Sequence, residues 1–182
     1  MSKRAVVVVD LQNEYLPAGK LPLDGIHDAL NNAARVIADA RTRGELVVNV
    51  RHESADAQAP FFQRGTDGVQ IHDAVAPLEG EPVIVKNFPN SFLKTPLKEM
   101  LDENGIEEVT VIGAMSHMCI DATARAASDF GYKTKVVHDA CATRELEFNG
   151  STVPAAQVHT ALMSALAFGY ASVISTDEYL AG

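Results

Sequence analysis

At 182 residues, 47% of them apolar, the chain is long enough for one domain with a substantial core, and no Pro/Gly/Ser-rich linker divides it, so a single domain over 1–182 is expected. A formal net charge of -9 without a long run of one sign argues against nucleic acid or an anionic membrane as the main partner. Two cysteines, Cys119 and Cys141, fit neither a disulfide framework nor a structural zinc site, and the start is too short and too quickly β-branched for a signal segment or a membrane span, which predicts a cytoplasmic protein with reduced thiols.

The run Val6 to Val9 lacks alternation, as expected of a strand covered on both faces of a parallel sheet. It ends at Asp10-Leu11-Gln12-Asn13, polar residues at the strand end that faces the ligand crevice of open α/β sheets, although a lone Asp there also caps turns. From about Gly25 to Arg43 the positions Ile26, Ala29, Leu30, Ala33, Val36, Ile37 and Ala40 follow helical spacing, and Leu46 to Val50 reads as the second strand of a right-handed βαβ unit. The segment from Arg51 to Pro82 has little periodicity. Arg51, His52, Phe61, Phe62 and His72 could line a pocket there, or the two Phe could simply anchor the loop.

Pro82 to Val85 predicts a third strand ending in Lys86, a residue type that more often snorkels to solvent than takes part in chemistry. A helix over Ser91 to Asn104 is expected, with Pro96 in its first turn, followed by a fourth strand over Glu108 to Ile112. The stretch Gly113 to Asp121 then leads into the helix-forming Ala122 to Ala127, so Cys119 falls at a strand-to-helix junction. Unpaired N–H groups at a helix start favour an anion, so this thiol is expected to ionise more readily than a core thiol; the bland alternative is a small hydrophobe beneath the helix. Lys133 to His138, a loop with Asp139 and Cys141, a helix over Pro154 to Phe168 and a strand over Ala171 to Ser175 complete the pattern.

These elements predict an α/β three-layer α/β/α sandwich on a mostly parallel six-stranded sheet of order 3-2-1-4-5-6. The switch point then lies between strands one and four, which Asp10 and Cys119 follow. That coincidence favours a functional reading of both.

At this point the chain resembles the isochorismatase-like cysteine hydrolases, which include nicotinamidases and N-carbamoylsarcosine amidohydrolase. The resemblance spans nearly the whole chain and rests on Val-Val-Asp10-Leu-Gln12-Asn, Val85-Lys86 followed by Ser91-Phe92 and Thr95-x-Leu97, Gly113-x-x-Ser116-x-x-Cys119, and Ala126-x-x-x-Phe130-Gly131-Tyr132 before Val137-x-Asp139-Ala140. It implies a triad of Asp10, Lys86 and Cys119, a cis peptide at Ala114-Met115, an oxyanion hole from the N–H groups of Met115 and Cys119, and a dimer or higher homo-oligomer. Gln12, His52, Phe61, Phe62, Phe88, Ser91 and His117 are the candidate substrate contacts.

The expected chemistry is hydrolysis of a C–N bond in a small amide, ureido or carbamoyl compound through a Cys119 thioester, with Asp10 as general base and then proton donor. The alternatives are a vinyl-ether hydrolase acting through Asp10 and a non-catalytic binding or scaffold protein on the same fold. Asn49-Val50-Arg51-His52 stands where nicotinamidases carry an Asp-x-His metal motif, so neither a metal nor another cofactor is expected. The helix over Pro154 to Phe168 adds Ala155, Met163, Ala167 and Phe168 to its apolar stripe, more than one sheet face should cover, and this too predicts a homo-oligomer.

Overall fold

The structure, a computed structural model, describes residues 3–182; the first two residues of the expected domain lie outside it. Six strands form the central sheet: β1 (Arg4–Val9), β2 (Leu46–His52), β3 (Val83–Lys86), β4 (Glu108–Ala114), β5 (Lys133–Ala142) and, after a hairpin of β6 (Leu146–Phe148) and β7 (Ser151–Val153), β8 (Ser172–Ile174). The order is β3-β2-β1-β4-β5-β8 with every pairing parallel, which is the expected order with β8 as the sixth strand.

Five helices cover the sheet: α1 (Ile26–Thr42), α2 (Leu97–Glu103), α3 (Asp121–Asp129), α4 (Ala155–Gly169) and α5 (Thr176–Leu180). The buried face of α1 is Ile26, Ala29, Leu30, Ala33, Val36, Ile37 and Ala40, the positions its periodicity selects. With Tyr179 of α5 and the inner residues Val6, Val8 and Val47 they form one core. Leu97 and Leu101 of α2, Ala124 and Ala127 of α3, and Met163 and Leu166 of α4 close the other face over Val7, Val9, Val50 and Val111. Burial on both faces explains why β1 reads as an unbroken β-branched run.

Three elements differ from expectation. β5 runs on to Ala142, paired there with β4, so Asp139 and Cys141 lie in the strand and not in a loop. The helix over Ser91 to Asn104 begins only at Leu97, because Pro96 brings no N–H and disfavours helical geometry in the residue before it, so Ser91 to Pro96 runs as turns with Lys94 at φ 56°. The stretch after β5 contains the β6–β7 hairpin. Its two-residue loop is Asn149-Gly150 with φ of 50° and 76°, a turn signal that the sequence reading passed over. Among the described residues no helix is long and apolar enough to cross a membrane.

Candidate active site

The site gathers at the carboxyl ends of β1, β3 and β4. β1 ends in register with Val50 of β2 and Gly113 of β4, and Asp10 then leaves the strand at φ 53°, a conformation tolerated by Asp better than by most residues. Gly113, at φ 130°, is what allows this close approach: a Cβ there would lie 1.9 Å from the Val9 carbonyl oxygen. β3 is an edge strand that alternates, with Val83 and Val85 outward and Ile84 and Lys86 inward. That alternation aims Lys86 across β2 into the site, so it does not snorkel.

Asp10 and Lys86 are fully enclosed, and Cys119 is 6% exposed. Lys86 Nζ lies 2.7 Å from Asp10 Oδ2 and 3.3 Å from Cys119 Sγ, so the ammonium bridges carboxylate and sulfur. Its approach to Asp10 is an ion pair off the hydrogen-bonding direction, and neither carboxylate oxygen accepts a directed hydrogen bond from the described residues. The carboxylate thus keeps a lone pair for a proton.

Cys119 sits within a single π turn, Ser116–Ile120, ahead of α3. It is therefore inside a turn and not at the open end of a helix. Burial pushes its thiol up to about 12, the Asp10 charge adds to this, and Lys86 opposes it. The expected ease of ionisation is reversed at rest. The Ala114–Met115 peptide before the turn is cis, and the N–H groups of Met118 and Ile120 both go to the Met115 carbonyl, at 3.0 and 3.2 Å.

The other expected contacts divide. His52 lies beside the triad, its Nδ1 3.0 Å from Lys86 Nζ, and Phe62 packs edge-on against the His52 ring at 5.1 Å. Phe61 meets Phe62 edge-on and is exposed. Gln12 is corrected from substrate contact to support: it is buried, and its amide donates to the His52 and Val69 carbonyls and accepts the His52 N–H. Ser91 is likewise buried and bonded to Thr123 of α3, so it fixes the β3–α2 connection. Phe88 lies at the surface under the Lys94 ammonium, 5.3 Å from its ring centroid. His117 Nδ1 pairs with Thr143 Oγ1 at 2.6 Å.

Tyr15 was missed. It is almost wholly buried against Phe62, and burial together with the charges of Asp10 and Cys119 raises its pKa. The spacing Asp10 to Tyr15 carries no periodic signal; only the short 3-10 turn Asn13–Tyr15 turns the ring inward.

Residues 49–52 hold no Asp-x-His pair for a cation. Asn49 is buried within the sheet, and a metal on His52 Nδ1 would meet the Lys86 ammonium already there. Among the described residues no group of three or more His, Cys, Asp or Glu side chains converges. A surface depression of about 800 Å³ lies elsewhere, lined by Lys3, Arg4, Arg43 and Glu45 at the amino ends of the strands.

Comparison with known proteins accords with this geometry. An Isochorismatase domain model matches residues 4–178. The chain is 47% identical over 176 residues to the uncharacterized isochorismatase family protein YddQ of Bacillus subtilis, covering 97% of this chain and 98% of that one. It is 31% identical to the maleamate amidohydrolase of Pseudomonas putida, over 78% of this chain and 73% of that one. A crystal structure of an Oleispira antarctica protein assigned to the isochorismatase hydrolases superposes with a TM-score of 0.96 at 51% identity, covering 100% of this chain and 97% of that one. The chain belongs to the isochorismatase family, a family of hydrolases several of whose members act on amides.

Proposed function

We propose that the protein is a cysteine hydrolase that cleaves a C–N bond of a small amide, ureido or carbamoyl compound. The observation that carries this reading is the position of Lys86 Nζ between Asp10 Oδ2 and Cys119 Sγ, at 2.7 and 3.3 Å. An enclosed ammonium placed so stabilises a negative charge on either neighbour, and so lets one proton pass from sulfur to carboxylate without changing the charge of the site.

On this reading Asp10 takes the Cys119 proton as sulfur attacks the substrate carbonyl carbon. The N–H groups of Met115 and Cys119 hold the oxygen that becomes negative, as the family resemblance implies, while those of Met118 and Ile120 are engaged with the Met115 carbonyl. Asp10 returns the proton to the leaving nitrogen, the C–N bond breaks, and a thioester remains. Water then gives a proton to Asp10 and its oxygen to the acyl carbon, the C–S bond breaks, and the sulfur recovers its proton.

The resting thiol at about 12 fits this order, in which deprotonation accompanies attack. The test is a screen of small amides, ureas and carbamoyl compounds for ammonia release, with Cys119→Ala as control. Release that depends on Cys119 supports the reading. Turnover of a vinyl ether that survives iodoacetamide, or binding without turnover, overturns it.

A further inference from the structure

The Lys86 ammonium has three N–H donors, and Asp10 and Cys119 account for only two of its neighbours. The third is His52 Nδ1, at 3.0 Å. A protonated Lys can only donate, so Nδ1 must be a lone pair and the ring proton must sit on Nε2. Burial and the Lys86 charge both lower the His52 pKa, in keeping with a neutral ring.

The main chain of His52 is also held from behind. Gln12 clamps the His52 backbone from both sides, accepting its N–H at 2.8 Å and donating to its carbonyl at 2.9 Å, and donates again to Val69 O at 2.8 Å. Phe62 lies edge-on to the imidazole at 5.1 Å and to Tyr15 at 5.3 Å. The clamp thus fixes the strand end that carries the imidazole, and Phe62 packs against one edge of the ring. Its Nε2 has no partner among the described residues and is not sealed from solvent.

We propose that His52 is a positioning residue for Lys86, a neutral imidazole whose Nδ1 anchors the ammonium between Asp10 and Cys119 and whose Nε2–H is left to donate to the substrate. This rests on the cysteine-hydrolase reading and extends it: the preferred substrates are amides or ureas with a hydrogen-bond acceptor beside the scissile carbonyl.

The tautomer is read directly from long-range ¹⁵N correlation spectra of the full-length protein between about pH 6 and 9. A neutral Nε2–H form is expected throughout, and an Nδ1–H or charged ring at neutral pH overturns the proposal. Two substitutions separate the roles. His52→Asn keeps an acceptor near the Nδ1 position and loses the distal donor; His52→Leu loses both. Iodoacetamide labelling of Cys119 reports the Lys86 anchor without any substrate. His52→Leu should slow it about tenfold and raise its pH midpoint, whereas His52→Asn should stay near the parent rate.

His52→Asn should raise KM several-fold more for an amide that carries the acceptor than for one lacking it. Parent-like labelling in His52→Leu overturns the anchor, since a packing role would lower thermal stability without moving the labelling profile. Unchanged KM for both amides in His52→Asn overturns the donor. Parent protein whose Cys119 resists labelling altogether would instead count against the cysteine-hydrolase reading itself.

Discussion

Cys119 and Cys141 are nearly equally buried, and burial pushes both thiols up to about 12, yet their neighbours differ. Cys119 faces a fixed ammonium and a carboxylate able to take its proton, whereas Cys141 donates to the Val137 carbonyl at 3.4 Å. Labelling followed by mass spectrometry is therefore expected to find Cys119 modified first, and labelling of Cys141 first would contradict the assignment. Asp10→Asn leaves the shape and removes the proton acceptor, so turnover should drop about 10²- to 10⁴-fold with the fold intact by circular dichroism.

The same burial has a consequence for stability. A free thiol titrates near about 8.5 in an unfolded chain, so above that pH the unfolded state sheds protons that the folded state keeps. Folding stability from each thiol is complete below about 8.5 and is lost as pH rises towards about 12. Melting temperatures should fall along this alkaline limb, and more gently in Cys141→Ala. An identical slope in the variant would refute the point.

At the level of elements, the close contact of β1 and β4 depends on Gly113. A methyl group there meets the Val9 carbonyl, which is backbone and cannot swing away, and φ of 130° is poor for any L side chain. Gly113→Ala should cost roughly 3 kcal/mol or more, seen as a large drop in the urea midpoint or as insoluble protein. A variant with the parent midpoint would show that β4 can shift. Strand runs and the α1 period were legible because burial on one or both faces is written directly in side-chain type. Asp10 and Cys119 stood out by following strands one and four, whereas Lys86 entered only through the family resemblance. Gln12 and Ser91 could not be sorted from substrate contacts, because a polar side chain at a strand end looks the same whether it meets substrate or backbone. Tyr15 was hidden because a 3-10 turn of three residues leaves no periodicity.

For the whole molecule, α4 presents surface that its own chain leaves uncovered. Val158, Met163 and Leu166 face the sheet, but Ala161 and Ala165 are exposed and Phe168 is 96% exposed, while the hairpin just before it carries Phe148 at 78%. Large aromatic rings left in water this fully favour association. Light scattering at micromolar concentration is expected to give a multiple of 19.5 kDa, most simply two-fold, and Phe168→Asp should lower it. A parent mass of one chain would refute the oligomer and leave the catalytic proposal untouched.

The place of Lys86 in the sheet gives the molecule a weak hinge of its own. The residue is the last of a four-residue edge strand paired on one side only, with β2. Edge elements open locally at free energies below that of global unfolding. Detaching β3 would carry off the ammonium, and Ile84 from one core, while the inner strands keep their other pairings. Urea should therefore abolish the proposed Cys119-dependent turnover at concentrations where far-ultraviolet circular dichroism is still native, and dilution should restore it within the mixing time. Coincident loss of activity and ellipticity would mean that the edge melts only with the rest.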